Sequence, residues 1–118
     1  ILVEHFDEWF ETRGLDESPF MMYAMKCRDE KQELIPSIVH VDGTCRIQTV
    51  SKEQNPHYYN LIQKFYEETG VPILFNTSLN LAGESMVETL EDAINTITKS
   101  KIEYLYLPEY NTLAFSRN

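Results

Sequence analysis

Asn76, Thr77, Ser78 and Asn80 set two amides and two hydroxyls close together, just after an apolar run and just before Gly83. Such side chains donate to phosphoryl or carbonyl oxygens without adding charge, and a glycine lets backbone approach a ligand closely. The same residues can also turn back on their own loop as Asx and Ser/Thr turns, and composition alone favours that second reading. Arg46 is the other candidate. It sits between Cys45 and Ile47, so its guanidinium must either project into solvent, the simpler reading, or hold an anion with its fixed fork of donors. His40 has no nearby Ser or Cys nucleophile with an orienting acid, so it reads as a partner of backbone or solvent rather than a base. Cys27 and Cys45 form no CxxC pair and lie at no zinc-like spacing from His5, His40 or His57. They read as buried free thiols, and no metal site is expected. With only four glycines the chain has no phosphate-binding glycine loop of the P-loop kind.

These groups need elements to position them. Leu2, Phe6, Trp9 and Phe10 share one helical stripe opposite Glu4, Asp7, Glu8 and Glu11, so the chain should open on an amphipathic helix. No capping residue precedes that helix, which leads to the expectation of further residues before Ile1. Phe20 to Cys27 is apolar on both faces and reads as a central strand, and Arg28 to Leu34 reads as a charged loop. Ser37–Val41 and Thr44–Val50 flank Asp42-Gly43, a pair suited to a two-residue hairpin turn. That hairpin would pair Val41 with Thr44, His40 with Cys45 and Val39 with Arg46. Thr44, Arg46 and Gln48 would then share one face, with His40 on the other.

Asn55-Pro56 is a helix start, an amide cap followed by proline in the first turn. Tyr58, Leu61, Ile62 and Phe65 should form its buried stripe, and Gly70 and Pro72 should end it. Val71 to Phe75 reads as a buried strand emptying into the Asn76–Glu84 loop. Thr89 and Asp92 make a capping box with the shorter acid, ahead of a helix carrying Leu90, Ala93, Ile94 and Ile97 inward. Tyr104–Leu107 and Thr112–Phe115 read as the last two strands. This order predicts an α/β (α+β) class, a twisted mixed sheet with packed helices in one domain spanning 1–118. In such sheets ligands meet the loops that leave the carboxyl ends of central strands, which again selects Asn76–Glu84.

The chain has 118 residues with 10 Lys+Arg against 19 Asp+Glu, a formal net charge of −9. An acidic chain with scattered cations is poorly suited to a nucleic-acid backbone, so no nucleic-acid partner is expected. A small anion is still compatible, because one well-placed arginine can dominate a local field. No run reaches the ~20 apolar residues needed for a membrane span, and no signal-peptide pattern is present. The expected setting is therefore cytoplasmic, with no membrane partner.

Taken together, Ser18-Pro19-Phe20-Met21, His40-Val41-Asp42-Gly43-Thr44 with Arg46 and Gln48-Thr49-Val50, Asn55-Pro56, Gly70-Val71-Pro72, and Asn76-Thr77-Ser78-Leu79-Asn80 with Gly83-Glu84 resemble the C-terminal region of the NodU/CmcH-type carbamoyltransferases. The match runs in register over nearly the whole chain. The resemblance implies a YrdC-like fold that makes a carbamoyl-adenylate from ATP, with magnesium, and carbamoyl phosphate. It also implies an N-terminal, metal-containing domain of the same protein that passes the carbamoyl group to a hydroxyl acceptor. By likeness to the Ser/Thr-Ser-Ala-Asn loop of YrdC-like proteins, Ser78 and Asn80 would contact the adenylate or phosphates, and Arg46 would neutralise phosphate or the carbamoyl oxygen. Thr44, Asn76, Thr77 and Gly83 would support them, all converging on one nucleotide.

The family's basic Arg-Glu-x-Phe-Arg-Pro-Phe-Ala-Pro run would precede Ile1, and without its cations a fragment beginning there is expected to be inactive alone. Cys45 stands where alanine is frequent, and Ser85 stands where proline is frequent. The alternative is a noncatalytic nucleotide-binding or protein-interaction module.

Overall fold

Short local signals build most of the elements of this protein, whose structure, a computed structural model, describes residues 1–116. Two compact units emerge, Ile1–Phe75 and Asn76–Asn118. The class is α+β, as the order of elements predicts. The strands form two separate antiparallel pairs, and among the described residues parallel character is confined to an isolated bridge between Leu2 and Val50.

In the first unit, a 3-10 turn at Val3–His5 leads into a one-turn helix, α1 (Phe6–Trp9). The expected stripe is the one buried: Leu2, Phe6, Trp9 and Phe10 all point inward. β1 (Tyr23–Lys26) pairs antiparallel with β2 (Thr44–Ile47) in the register Tyr23 to Ile47, Ala24 to Arg46, Met25 to Cys45 and Lys26 to Thr44. Met25, Cys45 and Ile47 face the core with Phe6, Trp9, Phe10, Cys27, Ile35 and Ile73. The 20–27 run is thus one strand of a two-stranded sheet rather than a central one, and Tyr23 and Ala24 are exposed.

The expected hairpin is corrected. The turn forms, with His40 N–H donating to Thr44 O at 2.8 Å and Gly43 N–H to His40 O at 2.8 Å, but Ser37–Val41 is not a strand. β1 takes the ladder of β2 instead, while Ile38 and Val39 pack on the core from an irregular segment. Gly43 is required by its φ of +76°, and a Cβ there would also displace the flexible end of Lys26. The charged segment after β1 holds one helical turn, α2 (Asp29–Gln32), rather than a plain loop. It is tied back to α1 by Arg28, whose Nε donates to Asp7 O at 2.8 Å, and by Lys31, whose Nζ meets Glu8 Oε1 at 2.9 Å.

α3 (Pro56–Thr69) starts and stops as its residues dictate: Asn55 Oδ1 accepts from Tyr58 N–H, and Gly70 closes it in the left-handed conformation. Its inward arc is rotated from the expected one. Ile62 is buried, with Tyr58, Tyr59 and Tyr66 beside it against Leu2, Val50 and Leu74, whereas Leu61 is 50% and Phe65 39% exposed. Tyr66 is selected because its ring meets His5 at a centroid distance of 4.5 Å. Val71–Phe75 is irregular rather than a strand. Pro72 has no N–H to give a ladder, and its carbonyl instead accepts from Leu2 N–H at 3.1 Å.

The second unit contains α4 (Leu90–Lys99), β3 (Tyr104–Leu107), a 3-10 turn at Pro108–Tyr110 and β4 (Thr112–Phe115). The expected capping box is present in both directions between Thr89 and Asp92. α4 buries Ala93, Thr96 and Ile97, while Leu90 and Ile94 of the expected stripe are exposed. β3 and β4 form the expected final pair, with Tyr104 opposite Phe115 and Leu107 opposite Thr112. Among the described residues no helix is long and apolar enough to cross a membrane.

Candidate functional site

In the first unit the outward face of the β1–β2 ladder carries Ala24, Lys26, Thr44 and Arg46, because alternate residues leave a strand on opposite sides and Met25, Cys45 and Ile47 take the core. Arg46 is exposed, and its guanidinium makes no hydrogen bond or ion pair with any other described residue. Opposite it stands Ala24, whose methyl leaves the guanidinium's flank open. Lys26 lies diagonally across the ladder and is a second cation on this face. It escaped the sequence reading because β1 had been taken as apolar on both sides; the period-2 pattern Ala24, Lys26 was the available signal.

Thr44 is locked by its own turn. Its N–H and Oγ1–H both donate to Asp42 Oδ1, at 2.9 and 2.7 Å, and its Oγ1 also meets His40 Nδ1 at 3.1 Å. The Thr44 hydroxyl, followed by its backbone N–H, holds the Asp42 carboxyl below the usual carboxylate range. Thr44 therefore spends its only hydroxyl proton inside the turn. It also brings His40 to its own side of the chain, against the expectation of opposite faces.

The second unit holds Asn76, Thr77, Ser78, Asn80 and Gly83 in an irregular loop. Ser78 Oγ–H donates to Asn80 Oδ1 at 2.6 Å, and Asn80 Nδ2 donates to Leu81 O and Glu84 O, both at 3.2 Å. Asn80 is thus the staple of the loop, joined by Glu84 N–H to Leu81 O at 3.0 Å and Val87 N–H to Leu79 O at 3.0 Å. Gly83 serves the 81–84 turn through its φ of +81°, with open space where a Cβ would be. Asn76, Thr77 and Ser78 are exposed. The self-bonding that composition favours is therefore the geometry of Ser78 and Asn80.

Cys27 and Cys45 are free and fully buried. Burial, then the neighbouring Cys27 thiol, pushes Cys45 up to about 12, and burial also raises Cys27. At pH 8 the thiolate fraction of Cys45 is then about one part in 10⁴, and the thiolate is the reactive form. Iodoacetamide at pH 8 should leave both unmodified in the folded protein and alkylate both in denaturant. Fast labelling of either in the folded state, read by mass spectrometry, would contradict their inert role. No group of three or more His, Cys, Asp or Glu side chains is arranged to hold a metal among the described residues.

A site missed by the sequence reading adjoins the ladder. Ser18 N–H donates to Thr49 Oγ1 at 2.8 Å, Thr49 N–H returns to Ser18 O at 2.9 Å, and Ser18 Oγ–H reaches Ile47 O at 3.2 Å. This buried clamp fixes Pro19 and Phe20 beside the end of β2.

Comparison with known proteins places this geometry in context. Residues 1–113 match the family described as "Carbamoyltransferase C-terminus". Nodulation protein NolNO of Sinorhizobium fredii is 39% identical over 111 residues, covering 93% of this chain and 16% of that protein. Nodulation protein NolO of Bradyrhizobium diazoefficiens is 40% identical over 105 residues, 88% of this chain and 19% of that protein. The 3'-hydroxymethylcephem-O-carbamoyltransferase of Amycolatopsis lactamdurans is 36% identical over 78 residues, 66% of this chain and 15% of that protein. The chain therefore spans less than a fifth of the length of these curated relatives.

Proposed function

The chain belongs to the carbamoyltransferase C-terminus family, and on that premise we propose that it handles the nucleotide in an O-carbamoyltransferase: water releases carbamate and inorganic phosphate from carbamoyl phosphate, the carbamate oxygen displaces pyrophosphate from the α-phosphorus of ATP, with magnesium, to give a carbamoyl-adenylate, and a further domain of the same protein moves the carbamoyl group to a hydroxyl acceptor with release of AMP. The observation that carries this reading is Arg46. A long cation held outward on a rigid ladder, with an alanine opposite and no internal carboxylate, is an anion contact in waiting on a chain of net charge −9. Charge grows on phosphoryl oxygens as pyrophosphate leaves, and a preset guanidinium lowers that barrier without reorganising.

Ser78 and Asn80 are the proposed loop contacts, with Asn76, Thr77, Thr44 and Gly83 in support. In that role Ser78 turns its hydroxyl from Asn80 Oδ1 to a phosphoryl oxygen, while Asn80 keeps the loop in shape through Leu81 O and Glu84 O. A name such as 3'-hydroxymethylcephem-O-carbamoyltransferase among the relatives supports a hydroxyl as the acceptor class.

The test is pyrophosphate release from ATP by the full-length protein. Release that requires carbamoyl phosphate is the expected result. ATP turnover indifferent to carbamoyl phosphate would overturn the reading, and none at all would overturn it in favour of a noncatalytic module.

A further inference from the structure

His40 stands at the entry to the Asp42-Gly43 turn with its backbone fixed at both ends, its N–H donating to Thr44 O and its carbonyl accepting from Gly43 N–H, each at 2.8 Å. Its ring is fixed as well. Thr44 Oγ1 lies 2.7 Å from Asp42 Oδ1 and 3.1 Å from His40 Nδ1. An ionised carboxylate only accepts, so the one hydroxyl proton of Thr44 goes to Asp42, along the shorter of the two bonds. Thr44 Oγ1 then accepts from the ring, which places the proton of the neutral imidazole on Nδ1 and its lone pair on Nε2.

That lone pair is open for use. His40 is exposed, and its Nε2 bonds no other described residue. A carboxylate that orients one ring nitrogen, here through a single hydroxyl, leaves the other a directed proton acceptor. The sequence shows no Ser or Cys nucleophile beside His40, but a base that deprotonates water needs none. Its position suits the same purpose. Thr44 and Arg46 leave β2 on one face, about 6–7 Å apart along the strand, so the ring seated on Thr44 and the guanidinium flank one stretch of surface. A phosphate held by Arg46 therefore carries an acyl group bonded to it toward His40.

We propose that His40 is the general base that activates water against carbamoyl phosphate while Arg46 takes the phosphate. The proposal rests on the carbamoyl-adenylate reading and adds the residue that releases the carbamate. The water oxygen bonds the carbonyl carbon as one of its protons passes to Nε2. The bond from that carbon to the phosphate oxygen then breaks, and the imidazolium hands its proton to the departing phosphate. Hydrogen phosphate and carbamic acid result, and the acid ionises to the carbamate that attacks ATP. Asp42 and Thr44 are positioning residues: they keep the imidazole in this tautomer, and the Asp42 carboxylate steadies the imidazolium across the Thr44 hydroxyl.

The experiment uses the full-length protein. His40→Ala removes an exposed ring outside the core cluster, so its thermal midpoint should hold. Its release of phosphate from carbamoyl phosphate should fall about 10²-fold or more, the scale of a lost general base. Ammonium bicarbonate, which holds carbamate at equilibrium in solution, bypasses the water step and should recover pyrophosphate release from ATP in the variant. In heavy-oxygen water the inorganic phosphate released by the wild type should carry no label, since water attacks carbon. Undiminished phosphate release in His40→Ala, a loss that ammonium bicarbonate does not recover although it feeds the wild type, or label in the phosphate overturns the role of His40 and leaves the adenylate reading standing. A wild type that releases no pyrophosphate with ammonium bicarbonate overturns the carbamate route and this proposal with it.

Discussion

Arg46→Ala is expected to lower carbamoyl-phosphate-dependent pyrophosphate release by about 10²-fold or more, the scale on which removal of one preorganised donor costs a transition state its stabilisation. The fold should not register the change. Arg46 is exposed on the outer face of β2 and its guanidinium makes no hydrogen bond or ion pair with another described residue, so its loss is worth roughly 0.5 kcal/mol or less to stability. That asymmetry makes the result interpretable, since a large kinetic effect with an unchanged thermal midpoint points to what the guanidinium meets beyond the ladder that carries it.

Arg46→Lys refines the result. An ammonium keeps the charge but gives up the planar fork, so partial recovery would mean that the geometry of two donors matters, and full recovery that charge alone does. Wild-type turnover in Arg46→Ala would remove Arg46 from the reaction. Lys26 then becomes the residue to test, because it is the remaining cation on the same face of the ladder.

That Arg46 points outward follows from two neighbours. Cys45 and Ile47 are the kind of side chain a core takes, and period-2 alternation leaves the residue between them to solvent. Caps were equally readable: Asn55 before Pro56, Gly70 after Thr69, and Thr89 with Asp92 act within a turn of themselves, where chain chemistry decides alone. Partner choice is different. Asp42-Gly43 makes its turn, yet β2 pairs with Tyr23–Lys26 rather than Ser37–Val41, because a ladder is won by whichever strand also completes the core. Likewise α3 could have buried Leu61 and Phe65; the positions of Leu2, Val50 and His5 select Ile62 and Tyr66 instead.

The Ser18–Thr49 clamp was hidden for the same reason. The two residues lie 31 apart in the chain, and only their mutual hydrogen bonds reveal that Pro19-Phe20 is held beside the end of β2. At the loop, Ser78 and Asn80 stand close enough in sequence for their bond to be foreseen as one of two readings.

Trp9→Ala should be the most damaging substitution to the fold of the first unit. The indole is 2% exposed in the cluster of Phe6, Phe10, Met25 and Cys45, and deleting a buried tryptophan costs about 3–5 kcal/mol. A domain's whole stability is only about 5–15 kcal/mol, so the variant sits near its threshold. The loss has two parts, packing and a cation over the ring, and Glu8→Gln with Lys31 kept accounts for the ion pair that Lys31→Ala also removes. Lys31 Nζ lies 4.7 Å from the ring centroid while bonding Glu8 Oε1 at 2.9 Å, so Lys31→Ala removes the cation without the packing. At a partly exposed site that contact is worth about 1 kcal/mol, and Trp9→Phe should fall between the two.

Urea unfolding followed by circular dichroism measures these variants, since Trp9 is the sole tryptophan and its fluorescence disappears with it. An unchanged midpoint in Trp9→Ala would mean that the α1 stripe is not what holds the ladder in place. The expected collapse would also remove turnover on warming, with the thermal midpoint falling alongside it. Arg46→Ala should lose turnover at every temperature with the midpoint untouched, and this contrast separates a residue that builds the site from one that works in it.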